Sequence, residues 1–356
     1  MRNLVFVVYD GILNSVFEGQ VLVPLVNRLQ NKECDRIYLI SFEKKLVSQE
    51  MVQKISGFHP HLHVIIFKRN SFFMSWTLLP EIRKLRKFLR SIDSYEIIAR
   101  GPLAGFIVQR ALDYQKCSHL TIQARGLLAE EYKYEYRHVY GWRKYFHLWR
   151  SRQYFYIEHV VYNKMQNFDC YVIEVVSNAL GDFLVDTYGA DRKCLTYAEK
   201  DVPVKIEPAF VAQWSLSIRN YLNIPMEAQV YCFSGAVKAW QCPDLVINYF
   251  SDIYKKNKNS FLLILTFDVD RFKNKLKEIL PINSYVVLNV AHEKIYEFLA
   301  AADYGIVFRE KNIISWASRP VKAMEYQAVG LKIIHNNTVE WLVSLRPNNG
   351  QSAIVI

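Results

Sequence analysis

Short apolar runs alternate with amphipathic stretches along this chain. The first are Leu4 to Tyr9, Ile37 to Phe42, His63 to Phe67, Glu96 to Ala99 and Leu120 to Ala124. Between them lie Phe17 to Leu29, Lys45 to Ile55, Leu79 to Leu89 and Leu103 to Tyr114, with helix-like patterning. Runs that are apolar throughout suit strands buried on both faces, and strands joined by helices lie parallel. The alternation predicts an α/β fold built on a doubly wound parallel sheet.

At 356 residues the chain is too long for one ordinary core, so two domains are expected. The strand Tyr171 to Val176 and the helix Ala179 to Tyr188, capped by Ser177-Asn178 and ended by Gly189, close the first. Leu195 to Ile206, with Pro203 and several charges, reads as a linker. The predicted division is 1–200 and 201–356. The second domain repeats the alternation: helices Trp214 to Leu222, Arg271 to Ile279 and Ala291 to Ala302, and strands Gln229 to Phe233, Phe261 to Phe267, Tyr285 to Val290, Tyr304 to Phe308 and Leu331 to Ile334.

Composition narrows the function. No uninterrupted apolar run approaches the ~20 residues of a spanning helix, and Met1-Arg2-Asn3-Leu4 leads into a strand without a signal-peptide cleavage site. A protein of the cell interior is expected. Six cysteines stand singly, as reduced core thiols. The net charge of +11 points to nucleic acid, an anionic membrane or anionic small ligands. Basic residues are spread along the chain with no nucleic-acid module, so nucleic acid is not expected as a partner.

In doubly wound sheets, ligands bind at the carboxyl ends of strands. Here those ends carry Asp10-Gly11, Arg100-Gly101 and Arg125-Gly126, each equally readable as a plain turn. Arg125 through Glu131 is the richest. Arg125 could clamp a phosphate or carboxylate, and Glu130 or Glu131 could act as a base or bind hydroxyls. The structural alternative is an acidic first helical turn with Arg125 pairing locally. In the second domain Gly235, just past a strand, admits close backbone approach, and Lys238 can reach phosphate oxygens. The richest stretch is Ser318 to Ile334. Ser318 or Arg319 serves as N-cap, Pro320 takes the first turn, and Gly330 ends the helix. Lys322 and Glu325 share one face near the helix's positive end, as an anion and ribose site or as a solvated pair on a surface helix. Arg309, beyond the strand Tyr304 to Phe308, is a second cation for a diphosphate.

Ser318 to Ile334 resembles the C-terminal nucleotide-sugar motif of GT-B glycosyltransferases, in the P-x-K-x-x-E-Y-x-A-x-G form of the family 4-like group. The resemblance extends to V-S-x-x-L-x-x-x-L-x-x-x-Y-G at Val176 to Gly189, to K-x-W-Q at Lys238 to Gln241 as in capsule-type members, and to R-G-x-x-x-E-E at Arg125 to Glu131. It implies a GT-B fold, two Rossmann-like domains with a cleft between them. It also implies transfer, with retention, of a sugar from a nucleotide diphosphate sugar to a glycan or polyprenyl-linked acceptor. Glu325 would hold the donor ribose, and Gly235, Lys238, Arg309, Pro320 and Lys322 the diphosphate. Asn289 and His292 would meet the base; His292 alone reads as a helix-start residue. Arg125 and Glu131 would serve the acceptor side. No metal or cofactor is expected, and Asp268-Val269-Asp270 reads as a helix cap. The chain departs from the pattern at Ala317, where many members carry a second glutamate. Alternatives on the same fold are a catalytically degenerate nucleotide- or glycan-binding protein and a sugar-nucleotide epimerase.

Tyr132 to Lys164 interleaves aromatic rings with seven basic residues against two acidic ones. Such a helical segment suits an anionic membrane surface, with the rings at headgroup depth, or a long helix packed beneath the domain. The first reading places the protein in the cytoplasm and peripherally on the inner face of the cell membrane.

Overall fold

The computed structural model describes residues 2–13, 17–163, 170–199, 202–345 and 354–355. They fall into two compact units, Met1–Val202 and Pro203–Ile356.

The first unit contains β1 (Asn3–Val8), α1 (Val23–Gln30), β2 (Arg36–Glu43), α2 (Gln49–Ser56), β3 (Leu62–Lys68), α3 (Leu79–Leu89), β4 (Tyr95–Arg100), α4 (Gly101–Ala111) and β5 (Cys117–Ala124). There follow α5 (Leu128–Glu135), α6 (Trp142–Tyr162), β6 (Tyr171–Val175), α7 (Asn178–Tyr188) and β7 (Leu195–Tyr197). The strands form one sheet, ordered β3-β2-β1-β4-β5-β6-β7, and pair in parallel throughout. The order reverses at β1 and β4, the crevice where such sheets take ligands. Strands β1 and β2 are buried along nearly their whole length, which is why they read as continuous apolar runs.

The second unit contains α8 (Pro208–Tyr221), β8 (Gln229–Ser234), α9 (Pro243–Lys256), β9 (Ser260–Leu265), α10 (Val269–Leu276), β10 (Tyr285–Leu288), α11 (Ile295–Leu299) and β11 (Tyr304–Val307). It ends with α12 (Ile313–Trp316), α13 (Val321–Ala328), β12 (Lys332–His335), α14 (Glu340–Ser344) and β13 (Ile354–Val355). Its sheet, also parallel, is ordered β10-β9-β8-β11-β12-β13, with the same reversal at β8 and β11. Two doubly wound parallel sheets, each with the Rossmann-like order about its first strand, constitute the GT-B architecture.

Several expectations need correction. Leu195–Tyr197 is not linker but edge strand β7, paired with β6 from Ile173 to Val175. The basic aromatic stretch is two helices, not one, broken between Tyr136 and Gly141, where Gly141 takes a φ of 68°. Lys164 lies outside the described residues. Arg309 to Ala317, expected as loop, contains α12, whose N-cap Asn312 accepts the Ser315 N–H at its side-chain Oδ1, 2.8 Å away. Helix α9, not among the elements predicted from sequence, opens at Pro243 after Cys242 in a left-handed conformation. Cys170 is exposed rather than a core thiol, and Cys194 and Cys242 are only partly buried.

The glycine in β11 sets the depth of the second unit's site. The ring of Tyr326, on α13, lies where a Cβ on Gly305 would sit, so α13 rides close to the sheet. The Tyr326 hydroxyl also accepts the Ser234 N–H at 2.8 Å, tying α13 to the end of β8.

Candidate functional site

In the second unit the carboxyl ends of β8 and β11 and the start of α13 converge. Helix α13 begins one residue later than its sequence suggests: Pro320 is itself the N-cap, with φ −65° and ψ 124°. Ser318 cannot cap because its hydroxyl donates to the Ser315 carbonyl at 2.8 Å, closing the preceding turn. No side chain caps α13, which leaves its first-turn amides facing whatever ligand arrives.

Lys322 and Glu325 are not a solvated surface pair. Each is only 8% exposed. The Lys322 ammonium donates to Gln241 Oε1 at 3.3 Å and sits over the Phe233 ring. Burial, reinforced by the positive charge of Arg309, drives its pKa well below the ordinary lysine value; Glu325 pulls the other way. Burial also lowers the pKa of Arg309, whose Nε is buried without a hydrogen-bond partner among the described residues. Its backbone is fixed by Asn336, which accepts the Arg309 N–H at 3.2 Å and donates to its carbonyl at 2.8 Å.

Gly235 belongs to this cluster. A Cβ there would collide with Gln241 Oε1 and stand 3.1 Å from Lys322 Nζ. The same Gln241 oxygen accepts the Ala236 N–H at 3.2 Å, so one side chain shapes the loop and holds the lysine. Gln241 stands in the K-x-W-Q run, and its own role had no separate signal. Asp268 starts α10 but does not cap it; its carboxylate accepts the Val237 N–H at 2.8 Å, bracing the loop from the other side. Lys238 is exposed, its ammonium 4.9 Å from the centre of the Trp240 ring. Gly235, Arg309, Lys322 and Glu325 are thus brought together around the N-terminus that Pro320 opens. Asn289 is exposed just past β10, and His292 opens a short turn before α11; its side chain lies outside the described set.

In the first unit Arg125 and Glu131 go to different places. Arg125 pairs with Glu174 of β6 at 2.7 Å, and that carboxylate also accepts Gln123 Nε2 at 2.9 Å. Glu131 is open to solvent and lines a cavity of about 470 Å³ between α5 and α6. Although part of the side chain is open, the surrounding protein desolvates its carboxyl and raises its pKa; the Leu127 N–H opposes this and the Asp10 carboxylate adds to it. Gly126 is needed here because a Cβ would meet Glu131 Oε1. That contact gives the R-G-x-x-x-E-E spacing a physical basis.

A residue with no sequence signal anchors this region. Glu158 of α6 is fully buried, and its carboxylate accepts the N–H groups of Leu128 at 2.7 Å and Ala129 at 3.0 Å, plus the Tyr188 hydroxyl at 2.8 Å. It caps α5 from another helix, which no local pattern could reveal.

Helix α6 is divided along its length. Ile157, Glu158, Val161 and Tyr162 are buried, whereas Trp142 and Tyr145 at its start are 76% and 75% exposed, with Arg143 and Lys144 exposed between them and Tyr140, just before the helix, 79% exposed. Among the described residues no helix is long and apolar enough to cross a membrane, and no cluster of three His, Cys, Asp or Glu could hold a metal.

No protein-family model and no curated protein sequence matches the chain. Solved structures do match in fold. A glycosyltransferase from Rickettsia africae superposes with a TM-score of 0.65 at 13% identity, over 100% of this chain and 84% of that one. Anabaena Alr3699/HepE, in complex with UDP and glucose, gives 0.64 at 13% identity, over 99% of this chain and 85% of its own. WaaG, a glycosyltransferase involved in lipopolysaccharide biosynthesis, gives 0.65 at 11% identity, over 99% and 86%. The fold is that of GT-B glycosyltransferases.

Proposed function

We propose that the protein is a glycosyltransferase that moves a hexose from a nucleotide diphosphate sugar to a glycan or lipid-linked glycan acceptor, with retention of configuration. The supporting observation is a pair of cations, Lys322 buried and Arg309 half-buried. Arg309 adds to the cost of charging Lys322 at the uncapped start of α13, and crowding like charges away from water is unfavourable unless an anion joins them. A diphosphate supplies that anion, and the same groups stabilise it as it departs. Glu325, on the same helix, accepts the ribose hydroxyls, and Lys238 reaches the phosphates from the loop. Asn289 and His292 bound the base. The UDP and UDP-glucose held by the Anabaena protein make uracil the first base to test.

On the first unit, Glu131 draws or shares the acceptor hydroxyl proton, desolvation having raised its carboxyl above the ordinary glutamate value and made it a stronger base. Arg125, fixed by Glu174, orients the acceptor side. The exposed rings and cations at the start of α6 contact an anionic bilayer of the capsule or surface-polysaccharide machinery. Charge from Lys322, Arg309 and the helix start neutralises the diphosphate without a metal in this reading.

The test is calorimetric titration with UDP, GDP, dTDP and CMP, followed by a donor-consumption assay with and without glycan acceptors. Tight binding of one nucleoside diphosphate with acceptor-dependent consumption supports transfer. Binding without turnover supports the degenerate reading, and isomerised donor without acceptor supports an epimerase.

A further inference from the structure

The cavity between α5 and α6 has a wall built for one kind of ligand. Tyr132, Tyr136, Phe146, His147 and Tyr154 line it. These rings hold one another still. His147 stacks on Tyr136 with centroids 4.0 Å apart and planes 16° from parallel, and its Nδ1 lies 2.7 Å from the Tyr132 hydroxyl. Tyr132 in turn packs on Tyr136 at 4.6 Å and on Tyr154 at 5.1 Å. Arg150 is locked from the far side: its guanidinium donates to the Phe72 carbonyl and lies about 6 Å from the centres of the Tyr132, Tyr154 and Phe73 rings. A wall fixed in advance loses little side-chain entropy when it binds.

The polar groups narrow the ligand class. Glu131 and Glu135 accept hydrogen bonds, and Arg150 has further N–H donors beyond the one given to Phe72. Two carboxylates against one guanidinium make the pocket unsuited to a phosphate or a uronate. It has no uniformly apolar wall for a polyprenyl chain. Ring faces beside carboxylate acceptors suit a molecule with apolar C–H faces and many hydroxyls. The volume, about 470 Å³, lies within the range of small-molecule pockets.

We infer that this cavity is a saccharide pocket that seats an uncharged hexose of the acceptor, its C–H face on the Tyr136 and Phe146 side and its hydroxyls on Glu131, Glu135 and Arg150. The assignment to the acceptor rests on the glycosyltransferase reading. Saccharide binding itself does not. The acceptor is then recognised by its terminal neutral sugar rather than by a lipid phosphate.

The test is saturation-transfer NMR on the full chain with the methyl glycosides of glucose, galactose, mannose and glucuronic acid, and with UDP as a separate arm. At least one neutral hexoside should receive saturation at its ring protons, and the glucuronide should bind more weakly. Replacing the ring by Tyr136→Leu should weaken the hexoside by about threefold to tenfold, as expected for loss of an aromatic face. Glu135→Gln, at an exposed position, should weaken it too, with the UDP signal unchanged in both variants. The inference is overturned if no neutral hexoside binds, if the glucuronide binds as well as its neutral parent, if both variants bind like wild type, or if uridine rather than sugar is displaced by them. Failure of the UDP arm alone would instead count against the glycosyltransferase reading.

Discussion

The ammonium of Lys322 lies 4.1 Å from the centre of the Phe233 ring, a cation held against an aromatic face inside the second unit. The ring's quadrupole offsets part of the desolvation cost but cannot replace a counter-charge. The site therefore favours an anion chemically, before any resemblance is considered.

Proton uptake should accompany nucleotide binding. Burial and Arg309 hold the Lys322 pKa well below its ordinary value, and a diphosphate returns it upward. Between the free and bound values, binding takes up a proton, so UDP affinity should fall as pH rises through that window. Calorimetry in buffers of different ionisation enthalpy should show uptake for wild type and almost none for Lys322→Met. Without nucleotide, the unfolded chain binds the proton more tightly than the folded one, so this lysine makes stability rise with pH towards 10.5.

Glu325→Gln keeps the size of the side chain and removes its charge. Hydrogen bonds to charged groups contribute about 1.5–3 kcal/mol, so UDP affinity should fall roughly tenfold to a hundredfold. Comparison with the 2′,3′-dideoxy analogue isolates the ribose. Should the variant still prefer UDP over that analogue by the wild-type margin, Glu325 is not the ribose ligand.

Tyr326→Phe leaves the Ser234 N–H without its acceptor and should cost about 1–3 kcal/mol by denaturant unfolding. Gly305→Ala should be worse than this, because the added methyl meets the ring itself. Equal stability of Gly305→Ala and wild type would show that α13 can lift from the sheet.

Glu158 should make the first unit pH-sensitive. Burial pushes its carboxyl up to about 7, above the ordinary 4.5, so the folded state keeps a proton that the unfolded chain has released. Its contribution is full below 4.5 and is lost as pH rises through 7. The unfolding free energy of wild type relative to Glu158→Gln should fall across that interval, by a total on the order of 3 kcal/mol in denaturant titrations. A difference that stays constant with pH would show that Glu158 does not titrate there.

Vesicle binding should depend on salt. If Trp142, Tyr145, Arg143 and Lys144 meet anionic lipid, sedimentation with acidic vesicles should weaken as ionic strength rises and screening shortens the ~10 Å Debye length. Arg143→Glu with Lys144→Glu should abolish it while leaving UDP affinity unchanged. Absence of binding at low salt would leave the start of α6 as ordinary surface.

Much of the fold was legible because parallel strands are apolar on both faces. Helix α7 is legible nearly residue for residue, since Ser177 and the left-handed Gly189 are local signals; the Ser177 hydroxyl accepts the Leu180 N–H at 3.0 Å. What escaped was non-local. The three-residue β7 carries too little pattern to stand out from a linker. The start of α13 depends on whether Ser318 turns back towards Ser315. At the site, residue types were readable but environments were not: spacing alone could not distinguish a solvated Lys322 and Glu325 from a buried pair. The contacts of Gln241 with Lys322, of Asp268 with Val237 and of Glu158 with α5 and Tyr188 all span distant segments, so no sequence window contains both partners.

The Glu158 carboxylate has one more consequence, for motion. It is shared by the start of α5, the body of α6 and Tyr188 at the end of α7. None of the three can fray alone without leaving that carboxylate short of a donor, so they should open as one cooperative unit. Amide hydrogen exchange at Leu128 and Ala129 should then report events in the ring-lined cavity, slowing when a sugar occupies it and quickening together when Glu158 is replaced.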